Sequence, residues 1–427
     1  MPFDAFPDAV PNTDVVISHT GVGRLLGLLD VGVYPVLGIR RQSRNEHVDD
    51  HEQQITEAAH ERGVSDQGLP IMRREIFVPA RGQYDNIGDI LLRRQLLDWL
   101  RDSGTLHIYI GQSPVGYDEG LRLRPGDVRY RSFRAWYLAA LWSAARGRAS
   151  YAFKPGEIQL TLIGMKEHLS MLPVIALIRA RRGTVVRIGV GCRNFAPIPR
   201  ALIWPSVALS TVSMWRDAAT ADYLGHGSVI PDLAFAEVSP AHYEPAGTHR
   251  DLLVVSMRSD RPYPCEIWRD ALRATARRHG LEIWAVTQVR RDDDRAARLA
   301  ADLGGNALRW DGTGYLAQEE QLRRLYRRAA LVISDRLHVL IGSATEGAIP
   351  AAVLVDSSDK IARNFAAADV HGITFESTGM TADEIGARLD SLLRRRDAIL
   401  QQIADAQVEL AAARRSLNRV LAPRRPR

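Results

Sequence analysis

Cysteine is nearly absent: the 427 residues contain two, Cys192 and Cys265, far apart and in no pairwise motif. That spacing excludes a disulfide framework and argues against a cysteine-built zinc or redox site. Long apolar runs are missing as well. No stretch of about 18 apolar residues occurs, so no membrane-spanning helix is expected. The opening Met1-Pro2-Phe3-Asp4 has neither the basic start nor the apolar core of a secretory signal, and a cytoplasmic protein is the expectation. Repeats at solenoid spacing are lacking too. GVGRLLG at 21–27 lacks the spacing of a dinucleotide fingerprint. HVDDH at 47–51 offers histidines four apart, but its surroundings are polar with no supporting cluster, so no metal is assigned.

The chain is too long for one ordinary core, which predicts two domains and a terminal extension. Residues 1–73 show little regular pattern. Over 74–238, short apolar runs (REIFVPA, LHIYIG, LTLIGM, TVVRIGVG, STVSMW) alternate with amphipathic stretches such as ILLRRQLLDWLRD and MLPVIALIRARR. That alternation predicts βα units around a parallel sheet. A segment rich in Pro, Gly and polar residues at 239–251 reads as a linker. DLLVVSM, LEIWAVT, AALVIS and AAVLVD then restart the pattern, predicting a second domain over 252–380. Residues 381–427 carry helical periodicity and end in a basic tail. The expected fold is α/β: two Rossmann-like domains, a cleft between them and a C-terminal helix.

Residues 329–365 are the most informative, because they read as a complete strand–helix–strand unit. Asp335 is placed to cap the helix, with Arg336, Leu337 and His338 in its first turn and Gly347 and Pro350 as its stop. A helix N-terminus offers free N–H groups and a positive dipole end. With a guanidinium and an imidazole beside them, these make an anion site. Lys360 leaves the next strand, so Arg336, His338 and Lys360 should share the carboxyl edge of one sheet. In the first domain Arg216 follows the strand STVSMW, while Asn86 and Asp89 open the helix after REIFVPA. Taken singly, these residues have plain structural readings: first-turn residues, an N-cap, and an acid that suits the helix dipole.

As an ordered set, NIGD at 86–89, GVG at 189–191, RD at 216–217, PDLAF at 231–235, RLH at 336–338 and Lys360 resemble the polysaccharide pyruvyltransferase family. The likeness spans roughly residues 75–415. It implies a GT-B-like arrangement of the domains. It also implies transfer of pyruvate from phosphoenolpyruvate, as co-substrate and without a further cofactor, to a sugar of a cell-surface polysaccharide or glycolipid precursor as a ketal. Arg216, Arg336, Leu337, His338 and Lys360 are then expected to line the donor pocket, with Arg216 and His338 catalytic and Asn86 and Asp89 near the acceptor. The chain departs from the family pattern in its N-terminal extension and at IGMKEH (163–168), where a glycine-rich turn is common.

The chemistry suits these residue types. Arginine binds multidentate anions through paired charge-assisted hydrogen bonds, and Lys360 supplies a point charge. Histidine titrates near neutrality and can move the protons that ketal formation needs. Because a helix N-terminus disfavours imidazolium, the bound dianion would have to favour protonated His338. Two other functions stay open: a glycosyltransferase of the same shape using a nucleotide-sugar donor, and a non-enzymatic glycan-assembly factor docking through the C-terminal helix. RYRSFRAWYLAALWSAARGR at 129–148 mixes Arg with Trp and Tyr. Such a stretch suits an anionic membrane surface presenting a lipid-linked glycan acceptor, or simply a helix packed on its domain with Arg at the rim. The net charge is +6, yet no RNA or DNA module is visible, and nucleic acid is not expected as a partner.

Overall fold

The computed structural model describes residues 74–193, 195–237, 249–310, 312 and 314–422. The extension 1–73, with its GVGRLLG and HVDDH runs, lies outside the described residues, as do most of the linker expected at 239–251 and the end of the basic tail. Both sheets belong to one compact unit, Ser65–Arg427.

The first half runs β1 (Arg74–Pro79), α1 (Ile87–Arg101), β2 (Gly104–Tyr109), α2 (Tyr117–Gly120), β3 (Val128–Tyr130), α3 (Phe133–Ala145), β4 (Ala149–Phe153) and β5 (Gly156–Gln159). It continues with α4 (Leu162–Ser170), α5 (Leu172–Ala180), β6 (Val185–Arg193), α6 (Pro197–Ala208), β7 (Val212–Trp215), α7 (Ala218–Leu224) and β8 (Ser228–Val229). Its strands are ordered β3-β2-β1-β4-β6-β7-β8, with β5 beside β6. The second half runs β9 (Leu252–Ser256), α8 (Glu266–His279), β10 (Glu282–Val286), α9 (Asp293–Leu303), β11 (Asn306–Leu308), α10 (Tyr315–Arg328) and β12 (Ala329–Ser334). Then come α11 (Leu337–Thr345), β13 (Ile349–Leu354), α12 (Lys360–Ala366), β14 (Thr374–Glu376), α13 (Ala382–Arg394) and α14 (Arg396–Leu421). This sheet has the order β11-β10-β9-β12-β13-β14.

Among the described residues every paired strand is parallel. The reason lies in the strand sequences: LLVVS of β9 and IPAAVL of β13 are buried at every position, as strands covered by helices on both faces must be. Helix α8 carries one apolar stripe, whereas α11 is buried at eight of its nine positions. Trp268, Ala271, Leu272, Thr275 and Ala276 of α8 are buried at helical spacing, and Gly280, at φ 63°, closes the helix.

One sequence expectation is corrected, and one central strand was not foreseen. LTLIGM does not form a strand: the chain is helical from Leu162, after the short strand GEIQ. Thr161 O accepts from Met165 N at 2.9 Å, and Met165 and His168 are buried three residues apart, which is helical spacing. The central strand β4, ASYAF, is fully buried; its Tyr151 and Phe153 suit a strand, but it lacks the aliphatic run by which strands are read.

In each sheet the order reverses beside the first strand, between β1 and β4 and between β9 and β12. Ligands bind at such reversals, beyond the carboxyl ends of the strands. The two halves meet there. Asn86 forms an isolated antiparallel bridge with Val289, Ile87 N donates to Gln288 O at 3.3 Å, and Arg290 N donates to Asp85 O at 2.9 Å. Helix α14 straps the halves together from behind, touching α1, α11, β13 and the Leu233–Ala236 turn.

Candidate active site

A cavity of about 210 Å³ opens between the facing carboxyl edges. The first half contributes Glu157 from β5 and Arg193 from the end of β6. The second contributes Arg258 and Arg261 after β9, Asp335 after β12, and Asp356, Asp359, Lys360 and Arg363 after β13. A larger cavity of about 560 Å³ lies elsewhere, between α1 and α14. Arg94, Arg101, Arg124 and Arg414 on its wall are held by carboxylates, and it is remote from both sheet edges. The smaller cavity is therefore the candidate site.

Glu157 is its hub. It accepts from Lys360 Nζ at 2.9 Å and holds Arg193 through both oxygens, at 3.1 and 2.9 Å. Burial pushes the Glu157 carboxyl up, but Lys360, Arg216 and Arg193 outweigh it and bring it down to about 2. Burial lowers Lys360, and the neighbouring Arg216 charge adds to this against the pull of Glu157. Asp335 has the opposite balance. Burial raises its carboxyl to about 6, despite the Arg258 N–H that donates to Oδ1 at 2.9 Å and the nearby guanidinium of Arg336. Its Oδ2 is buried and finds no partner among the described residues.

Asp335 is thus not the helix cap that its position suggested, because its side chain is spent on Arg258. Arg336 takes the cap position, and its own N–H donates to Ser334 Oγ at 3.0 Å. The Arg336 side chain pairs with buried Asp292, which also takes Ser259 N and Oγ, each at 2.9 Å. Leu337 is buried in the core. Of the five residues expected at the donor, Lys360 lies on the cavity wall.

Arg216 and His338 converge on a residue that the chemistry of the sequence had not singled out, Asp232. Arg216 Nη1 is 3.3 Å from Asp232 Oδ2, and His338 Nε2 is 3.6 Å from the same oxygen. Burial would raise this carboxyl, yet His338 and Arg216 hold it at about 2. Arg216 Nε and His338 Nε2 have no hydrogen-bond partner among the described residues. Glycines make room for both side chains. A Cβ on Gly191 would fall 2.6 Å from Arg216 Nε, and one on Gly88 would fall 2.5 Å from His338 Cβ.

Asn86 caps α1, accepting from Gly88 N at 3.0 Å, and its amide donates to Gln83 at 3.2 Å. Asp89 pairs with Arg93 at 3.3 Å and takes Gln83 N. Asp217 caps α7 through Thr220 N at 2.8 Å and also holds Arg363 of the other half at 3.0 Å. Arg258 follows β9 as Arg216 follows β7, so the strand-end rule that found one points equally to the other. Lys360 carried a further signal, being one of three lysines among 56 basic residues. Glu157 had none, because β5 itself was not legible. Among the described residues no three His, Cys, Asp or Glu side chains gather as metal ligands would, and no helix is long and apolar enough to cross a membrane.

Two parallel-sheet domains facing each other across a polar cleft define an α/β protein of GT-B-like architecture. Solved structures agree on this fold. A protein assigned as a UDP-N-acetylglucosamine 2-epimerase from Listeria monocytogenes aligns with TM-score 0.51 at 12% identity, covering 81% of this chain and 96% of its own. The UDP-GlcNAc 2-epimerase of Neisseria meningitidis, bound to UDP-GlcNAc, aligns with TM-score 0.52 at 8% identity, covering 81% and 99%. A search of curated proteins gives no match. The family model of polysaccharide pyruvyl transferase matches residues 86–348, and the chain belongs to that family of transferases. The match ends before Lys360.

Proposed function

We propose that this protein transfers the pyruvyl group of phosphoenolpyruvate to two hydroxyls of a saccharide acceptor, closing a ketal in the cavity between the sheet edges. The observation that carries this reading is the cavity itself, about 210 Å³ with five cationic side chains on its wall. A small, multiply charged anion suits that space, whereas drug-sized ligands occupy roughly 300–1,000 Å³. Arg193, Arg258 and Arg261 offer forked donors to a phosphate and a carboxylate, and Lys360 a point charge. The donor competes with Glu157 and Asp356 for these cations. Arg216 and Arg336 support the field from behind.

In the reaction the donor methylene carbon takes a proton and becomes a methyl group. One hydroxyl attacks the adjacent carbon, the bond to the phosphate oxygen breaks, and a second hydroxyl closes the ring. Of the two hydroxyl protons, one balances that gained by carbon and the other leaves with phosphate. We assign proton movement to His338, oriented by Asp232, with Arg216 stabilising negative charge as the phosphate departs. Asn86 and Asp89 stand on the acceptor side. No resident cofactor enters this scheme.

The fold likeness to a UDP-GlcNAc-bound epimerase makes a nucleotide sugar the donor to test against. Thermal unfolding of the full chain is to be followed with phosphoenolpyruvate, UDP-sugars and GDP-sugars, on the parent and on Lys360→Ala. A ligand at about 100 times its Kd stabilises by about 2.7 kcal/mol. A shift with phosphoenolpyruvate that is lost in Lys360→Ala is expected, and stabilisation by nucleotide sugars alone overturns the reading. His338→Ala should keep the donor-induced shift while losing turnover by about 10²-fold or more.

A further inference from the structure

Charge is distributed unevenly along this chain. Residues 128–210 hold thirteen Lys or Arg against two Glu, although the whole protein carries only +6. Both glutamates are spoken for: Glu157 by Lys360 and Arg193, Glu167 by Lys154 at 2.8 Å. The basic excess is not an active-site feature, since Arg193 alone of the thirteen lies on the cavity wall.

Much of this segment forms one layer. Helices α3 and α5 pack together over β4, and α6 packs against α4 and α5. The α3 and α5 side chains cover one face of the first sheet, through Trp136, Ala140, Val174 and Ile178, while α1 covers the other face and meets the second half. The layer therefore turns away from the second half. On its outer side Leu138 and Trp142, one turn apart on α3, are each 64% exposed, and Ile198 and Leu202 of α6 are 74% and 39% exposed. Large apolar side chains left in water at helical spacing mark an interaction surface. Arg134, Arg146, Arg181 and Arg200 are exposed around them. The guanidinium of Arg146 lies 3.5 Å over the exposed Trp142 ring.

We propose that this outer layer, α3 to α6, rests on an anionic lipid bilayer. Exposed Trp and Leu among arginines, with no exposed acid on any of the four helices, is the chemistry of an interfacial surface: apolar side chains enter the acyl boundary and cations meet lipid phosphates. A protein partner or RNA does not require both features together. The geometry also joins this surface to the cleft. Helix α6 begins four residues after Arg193 of the cavity, and Arg363 of the cavity lies 5.3 Å over the exposed ring of Phe195. An acceptor carried on a lipid would thus reach the cavity along the edge of the bound face. The proposal stands apart from donor identity, because membrane binding does not involve the cavity.

The test is sedimentation of the full chain with phosphatidylcholine vesicles, with and without phosphatidylglycerol. Binding is expected only with the anionic lipid and should fall as salt rises. Replacing Arg134 and Arg146 by Ala should weaken it about fivefold per residue, whereas Arg324→Ala on the second half should leave it unchanged. Quenching of indole fluorescence by brominated lipid should drop in Trp142→Phe. Sedimentation with neither vesicle, equal sedimentation with both, or binding indifferent to Arg134 and Arg146 overturns the proposal. So does binding to an RNA oligomer at a salt concentration where anionic vesicles are ignored.

Discussion

Gly88 has no side chain where one would strike His338, and this absence explains a motif better than its polar members do. In NIGD the asparagine caps the helix and the aspartate pairs with Arg93, while the glycine lets α1 approach the imidazole. Gly88→Ala should cost about 1–3 kcal/mol through overpacking and lower turnover with it, measured by urea unfolding and steady-state kinetics. Gly191→Ala should act in the same way on Arg216. Asp335 makes a pH prediction. Its carboxyl titrates near 6 in the folded protein and near 4 when unfolded. Between those values the unfolded chain releases its proton first, so stability falls as pH rises, by roughly 3 kcal/mol at most. Asp335→Asn should flatten that fall and be more stable than the parent at pH 7, when the two are compared by urea unfolding from pH 4 to 7.5.

Among the elements, α14 shows most plainly what an apolar stripe does. Ile399, Ile403, Ala406, Leu410, Ala413, Leu417 and Leu421 are buried along one side of 26 residues, and Arg414 fastens the helix to Asp98 and Asp102 at 3.0 Å each. Leu410→Ala should cost about 2–5 kcal/mol, because the side chain is fully buried in a helix that touches both halves. The helical period of this segment was plain in its sequence. That it returns to clasp the first half was not, since periodicity says which face is buried and not against what. The same limit hid β4 and β5. A short strand without a run of aliphatic residues leaves little trace, and Glu157 was lost with β5.

For the molecule as a whole, the joint between the halves is held by a buried ionic network. Arg94 of α1 forks onto Glu237 and Glu319, and Arg323 holds those two and Glu346 as well. Arg327 also reaches Glu346 at 3.5 Å, so three arginines serve three buried carboxylates and no cation is spare. Arg94→Ala should destabilise the protein by roughly 3–5 kcal/mol, because it leaves three buried carboxylates to Arg323 and Arg327 alone, while Arg124→Ala on the exposed pair with Asp98 should cost under about 1 kcal/mol. Denaturant unfolding of the two variants separates these cases.

The sequence by itself determined that this chain builds two parallel α/β domains and that Arg216, Arg336, His338 and Lys360 lie beyond the carboxyl ends of strands. Both follow from local periodicity and from the fixed handedness of βα units. Only the tertiary structure decided which groups meet. Glu157 and Lys360 are 203 residues apart in the chain, and Asp232 joins Arg216 to His338 from between them. Local pattern fixes where a side chain leaves its own sheet. The packing of one sheet edge against the other fixes what it faces, and no short stretch of sequence encodes that distance.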